Sequence, residues 1–410
     1  MKLGSVDNSS LEAECLATCS QDPALLDNIE EHYTTSDKNG AREQVAGRRK
    51  LNYQQTLITL VVLLSSTQLL AEKTFISEQV NSNTASTTRV TNPTPLKRKG
   101  TCIVDVYGAP LALSKKIEQK YAKKVSYIER NLAEEFKNYN GNALDTRHVK
   151  ELLEQKNVLK ANIKKNEHVA FVDFQTVRYP DTKNIYTTIE IVQQNQSERL
   201  RFIAPQNTLP EDTPKHDLIE KMKKYQNKAM KLLMTHQIDL KDQTCPVYHC
   251  IVPFNHPQLK PYLTVFNKGV IQNKNKIIDA LNHDTNPERR AGAAFLLGHL
   301  SNPHEIISLL SPHVTDPDDG VRNNVLRVIG ETLMRSKITD VNALPFIALL
   351  DSPYVTDRNK ALLVLLALAD SKSGKKQIEQ NHHGRLTNIA NLKQPNNRDV
   401  AQMILNKIKA

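Results

Sequence analysis

The chain has 410 residues, 5% of them aromatic and none of them tryptophan. That length allows two or three domains, and the composition excludes an aromatic-cored β-sandwich in favour of an α-rich chain packed with Leu and Ala. The formal charge of +11 is unevenly placed: residues 1–71 hold six basic and nine acidic side chains, 276–410 hold seventeen and fourteen, and 72–275 carry the remaining excess of eleven. A basic surface there would attract nucleic acid, anionic lipid or phosphate-rich envelope polymer, the bland alternative being a solvated Lys-rich helix face.

Residues 1–50 are polar and mildly acidic, which reads as a disordered tail or as a start placed too far upstream. Arg48-Arg49-Lys50 then precedes an apolar run, Leu57 to Ala71, interrupted by Ser65-Ser66-Thr67-Gln68. The run falls short of the roughly 20 apolar residues of a membrane span and suits the roughly 7–15 of a signal-peptide core. Residues 51–71 are therefore expected to be signal-peptide-like, making the protein periplasmic or secreted. The rivals are an inner-membrane anchor over 57–71 and a buried core helix. Residues 72–100, rich in Ser, Thr, Asn and Pro, read as a disordered linker.

Residues 101–204 read as a small α+β domain. A strand over Cys102–Tyr107 precedes a helix whose stripe is Ile117, Tyr121, Val125, Ile128, Leu132 and Phe136. A second helix, capped by Asp145, is expected to carry Val149, Leu152, Leu153 and Val158. Strands over 169–179 and 185–192 flank the turn Pro180 to Asn184, and Arg199 to Ala204 is expected to add a third. On element order, β-α-α-β-β, this stretch resembles a POTRA-type envelope domain, which would imply a protein- and peptide-docking module.

Residues 215–260 read as a helix and a cysteine-containing connector. Leu218, Met222, Tyr225, Ala229, Leu232 and Leu233 mark the helix within 215–236. Cys245-Pro-Val-Tyr-His-Cys250 is short enough to close a disulfide loop in an oxidising compartment. Cys102 is then left buried, paired between chains, or exchanged with one of the other two. A zinc reading would add His236, His249 or His256, although no second closely spaced ligand pair follows.

From about 261 to 410, four segments share a turn with Pro or Asp, an Arg, and an apolar helix. Their arginines are Arg290, Arg322, Arg358 and Arg398, spaced 32, 36 and 40 residues apart. Intervening apolar clusters sit at Ile306 to Leu310, Leu344 to Leu350 and Leu386 to Leu392. A period of about 40 residues belongs to stacked helix pairs, because one pair cannot bury its apolar face alone. Asp316-Pro317-x-x-x-Val321-Arg322 with its following helix resembles the HEAT motif. The chain thus resembles a bacterial exported HEAT-repeat protein, and the expected fold is α-rich, a C-terminal HEAT-type α-solenoid preceded by the small α+β domain. The resemblance implies that Asp316, Asp357 and the arginines bridge adjacent turns as a structural ladder.

No Gly-rich phosphate loop, Gly-x-Ser-x-Gly elbow or His-Glu-x-x-His helix occurs in the sequence. No catalytic, cofactor-binding or metal-ligating residue is therefore assigned, and no cofactor is expected. The expected function is a non-catalytic scaffold or adaptor holding a protein or peptide partner in the bacterial envelope. One alternative is binding of nucleic acid or anionic envelope polymer through the basic 101–235 segment; another is a metal-dependent enzyme using Cys245 and Cys250. The near-neutral, Trp-free repeats disfavour nucleic acid, and membrane contact is expected to be transient and confined to the N-terminal apolar segment.

Overall fold

The structure, a computed structural model, describes residues 100–137, 146–178, 184–203, 217–234, 237–238 and 245–409. The expectations for the N-terminal tail, the signal-like run, the linker, the Asp145 cap and most of the 180–184 turn lie outside those residues. Among the described residues the chain is helix-rich, with one three-stranded sheet.

The α+β unit opens with β1 (Cys102–Tyr107), α1 (Leu111–Lys137), α2 (Thr146–Asn166), β2 (Val169–Arg178) and β3 (Ile185–Gln193). The strand order is β1-β3-β2, with β1 parallel and β2 antiparallel to β3. The predicted α1 stripe is buried from Ile117 to Leu132 against Val104, Val172, Phe174, Ile189 and Ile191 of one sheet face. In α2 the stripe differs from expectation, because Val158 is 56% exposed. The buried line runs Leu152, Lys156, Leu159, Ile163, which is a 3.6-residue period with a lysine in one place. Lys156 can be interior because its ammonium meets Glu129 at 2.9 Å and donates to the Phe174 carbonyl. An apolar-only reading of the helix passes over that residue and takes its neighbour.

Of the expected strand Arg199 to Ala204, residues 199–203 are not a strand, and Ala204 lies outside the described residues. Gln194–Phe202 winds into a 3₁₀ helix, in which side chains three apart eclipse. Arg199 and Phe202 thereby turn to the same side, and both are buried. Inward placement of a cation together with an aromatic ring decides the conformation here.

Downstream follow α3 (Leu218–Met234), α4 (Lys260–His283), α5 (Pro287–Leu297), α6 (Pro303–Leu310), α7 (Asp319–Ser336), α8 (Leu344–Ala348), α9 (Val355–Leu368), α10 (Lys372–Asn381), α11 (Arg385–Ala390) and α12 (Pro395–Lys409). Helices α5, α7, α9 and α12 pack each on the next, while α4, α6, α8, α10 and α11 flank them. The starts are capped locally. Asn286, Asn302 and Asp318 accept from backbone amides two or three residues on, satisfying donors that a helix start leaves open. Asp318 is thus the cap of α7, and Pro317 lies just outside the helix. Helix α10 is unheralded in the sequence: Ile378 is its one large buried apolar side chain.

Where the start of α1 meets the end of α2, Glu167 has a fully buried side chain and meets Lys116 at 2.7 Å and Lys120 at 3.1 Å. The Tyr121 hydroxyl donates to it as well. Lys116 first, then Lys120 and Tyr121, hold this carboxyl at about 2 against the upward push of burial. Its folded value lies below the ordinary 4.5, so its stabilising effect is complete above that value and fades as pH falls towards 2. The Glu167→Gln protein should therefore lose stability at neutral pH and show a flatter decline between pH 4.5 and 2 in urea titrations. An unchanged acid slope would remove Glu167 as its source.

Candidate functional site

Three of the four motif arginines do the same two things. The guanidinium folds back onto the carbonyl six residues earlier, Arg290 to Asp284 at 2.9 Å, Arg322 to Asp316 at 2.7 Å and Arg358 to Ser352 at 2.5 Å. It also reaches a carboxylate outside its own segment. Arg290 holds Asp316 through two 2.9 Å bonds. Arg322 holds Asp357 at 2.9 and 2.8 Å, with neither side chain exposed. Ser352 donates its hydroxyl to that same Asp357 at 2.6 Å. The ladder of Asp and Arg between adjacent segments is present over these two rungs.

The third rung departs from the expected pattern. Asp316 lies six residues before Arg322 and Asp357 one residue before Arg358; the corresponding places before Arg398 are Leu392 and Asn397. Neither carries a charge, and Asn397 instead accepts from the Asn359 amide. Arg358 therefore turns to Glu190 of β3, at 2.9 and 2.5 Å, both side chains fully buried. Arg398 pairs with adjacent Asp399, remains 41% exposed and meets no carboxylate of another segment among the described residues, so it is not a rung.

The sheet face opposite α1 and α2 is built to receive these turns. Strand pairing lines up Tyr107, Glu190 and Asp173 in one row and Asp105, Thr188 and Gln175 in the next. The Tyr107 hydroxyl donates to the Leu350 carbonyl at 2.7 Å, and the Arg358 guanidinium lies 4.0 Å from the Tyr107 ring centre, within cation–π range. Gln175 donates to the Pro353 carbonyl and accepts from the Val355 amide, capping α9 from another part of the chain. Asp105 accepts from the Lys393 and Gln394 amides at 2.7 and 3.0 Å and so fixes the turn that leads into α12. The 3₁₀ helix completes the seam, as Arg199 donates to the carbonyls of Asp351, Gly108 and Ile191 and Phe202 supplies a carbonyl to Arg322. Gly108 sits at φ 87° with a would-be Cβ 2.1 Å from the Ile191 oxygen, so no other residue fits that turn.

Burial is the main electrostatic influence at the seam. It raises the Glu190 carboxyl to about 7 against the pull of Arg358, and raises the Tyr107 hydroxyl to about 12. Sequence reading missed Glu190, Tyr107, Asp105, Gln175 and Arg199. The one available signal was polar residues alternating with apolar ones on all three strands, a pattern equally typical of a solvated face. Arg289, overlooked beside Arg290, joins α3 to α5 through Asp217, Glu220 and Asp284.

A second polar cluster lies under the cysteine loop. Cys245 and Cys250 are disulfide-bonded with Cα atoms 5.8 Å apart, so their sulfurs are not zinc thiolates in this structure. Cys102 carries a free, half-buried thiol near the Thr187 hydroxyl. The loop is pinned by Arg335, which donates to the Cys245 and Val247 carbonyls, and by the Tyr248 amide on Gly298. It presses His249 onto Phe295, with Glu331 2.9 Å from Nδ1. Burial holds His249 below its ordinary value and Lys360, nearby, well below its own. Among the described residues no group of three or more His, Cys, Asp or Glu is placed to hold a metal ion, and no helix is long and apolar enough to cross a membrane.

Removing one member of a fully buried ion pair typically costs about 3–5 kcal/mol, whereas an apolar replacement of both is far milder. Arg358→Ala and Glu190→Ala should each destabilise by that order in urea unfolding, and the Arg358→Met/Glu190→Leu double variant by less than either. Strictly additive losses would mean that the pair is not coupled. Asp105→Ala, which strips two charge-assisted bonds from the start of α12, should cost roughly 1–3 kcal/mol. No family model matches the chain, and comparison with curated proteins and with solved structures finds no match either.

Proposed function

We propose that the chain is a non-catalytic binding scaffold in which residues 261–410 form a HEAT-type α-solenoid, exported through the 51–71 segment, that holds a protein or peptide partner in the cell envelope. One observation carries this reading. Three successive segments place an arginine on the carbonyl six residues back, and the first two of them also hold the aspartate of the next segment. That recurrence is what stacked, quasi-identical repeats require, and extended repeat surfaces serve chiefly to bind.

The seam with the sheet bears on which surface is free for a partner. The starts of α9 and α12 are covered by the α+β unit, and the faces of α5 and α7 are covered in part by α3 and the cysteine loop. The flanking helices retain exposed apolar side chains, with Ile271 of α4 at 76% and Leu344 of α8 at 48%. On this reading a partner meets the flanking row.

The test is affinity capture from an envelope fraction with the intact protein and with Ile271→Asp and Leu344→Asp variants. A partner retained stoichiometrically by the parent and lost by at least one variant of unchanged melting temperature is the expected result. Equal capture by all three proteins would count against the flanking row, and no captured partner at all against the scaffold reading.

A further inference from the structure

The positive charge of the α+β unit is not spread evenly over its two helices. The start of α1 and the end of α2 lie together, since Lys116, Lys120 and Tyr121 meet Glu167 directly after α2. This end carries Lys115, Lys116, Lys120, Lys123 and Lys124 from α1, with Lys160, Lys164 and Lys165 from α2. All but the partly covered Lys160 are exposed. The acidic groups beside them are Glu118, Glu167 and Asp173; the last two already meet lysines of the set, and Glu118 meets Lys393. The opposite end of the helix pair has no such excess, Arg130, Arg147 and Lys150 standing against Glu134, Glu135, Glu151 and Glu154. The imbalance is therefore a local feature of one end.

We propose that this lysine-rich end of the α1–α2 face is a docking surface for an anionic lipid bilayer. Three observations favour a bilayer over nucleic acid. All eight basic residues are lysines, compact hydrated charges on flexible stems, with no planar guanidinium fork for bidentate phosphate or base recognition. Two antiparallel helices side by side on a sheet present a broad face to a planar surface, and Leu111, 71% exposed, opens α1 at the same end. The apolar run 57–71 also precedes β1 by a Ser/Thr/Asn-rich stretch of only some thirty residues. Where that run is retained as an anchor, it and the lysines would act as two membrane signals, in the way that one acyl chain plus a polybasic patch gives stable attachment where either alone binds marginally. Membrane contact would thus extend beyond the N-terminal segment, and the inference does not depend on what the repeats bind.

The experiment is co-sedimentation of the full chain with vesicles of phosphatidylcholine, with and without phosphatidylglycerol, at low and moderate salt. It is repeated with a Lys123→Gln/Lys124→Gln/Lys164→Gln/Lys165→Gln variant, whose side chains lie away from every seam described above. The parent should bind phosphatidylglycerol vesicles more tightly, with affinity falling as salt rises, and the variant should bind them roughly tenfold or more weakly. Both proteins should bind pure phosphatidylcholine alike, that residue of affinity reporting the apolar run. Equal binding of parent and variant to the anionic vesicles overturns the proposal. So does a competing duplex or single-stranded oligonucleotide that displaces the vesicles and itself depends on the four lysines, which would assign the surface to nucleic acid instead.

Discussion

A guanidinium taken out of water loses several kcal/mol of hydration unless an acceptor set meets it inside, and Arg358 has no side-chain exposure at all. Its acceptors are the Ser352 carbonyl, the face of Tyr107 and both oxygens of Glu190. Two of these three belong to the sheet. The position of the sheet against the helices, the path of the 3₁₀ segment, the cap on α9 and the anchored turn before α12 all accompany that one pair. The fourth arginine segment offers Arg358 no carboxylate, because Leu392 and Asn397 stand where Asp316 and Asp357 stand earlier.

The same logic redraws the boundary between the two parts of the chain. An α+β domain followed by a repeat domain suggests two cores and a seam of ordinary surface character. Here Tyr107 and Phe202 belong to the apolar core of the helical part, and Val177 packs with Val355. The seam is made of buried hydrogen bonds to helix starts, which are directional and leave little room for sliding. Helix starts carry partial positive charge and open N–H groups, so the acidic and amide side chains of the sheet are matched to them in sign as well as in geometry.

What the sequence makes legible is whatever repeats or has a period. The α1 stripe, the four arginine segments and the cysteine loop are each visible in one stretch of chain. Features that depend on a residue far away are not. Lys156 reads as a surface lysine until Glu129 is beside it, Glu190 as a solvent-facing strand residue until Arg358 arrives, and Arg199 as part of a strand until its carbonyl acceptors are known. Helix α10 is hidden for another reason: short and Lys/Gln-rich, it is held by Ile378 and by a Ser371 cap, too little apolar signal to mark a period. The arginine ladder was readable in its spacing and its two aspartates in the motif, but the partner of Arg358 was not, since Arg322 takes the aspartate adjacent to Arg358 and leaves Arg358 to look elsewhere.

The sheet's inner face also sets an order in time. Glu190 and Arg358 are 168 residues apart in the chain, and Asp105 and Gln394 are 289 apart. During synthesis the α+β unit emerges long before the helix starts that will cover it, and contacts of such separation form late. Throughout that interval the waiting face displays Asp105, Asp173, Gln175 and Glu190 to water. An apolar face of equal size would be an adhesive surface on a half-made chain. A polar one stays hydrated until its partners are translated, so the choice of hydrogen bonds over grease at this seam protects the nascent protein as well as fixing the finished one.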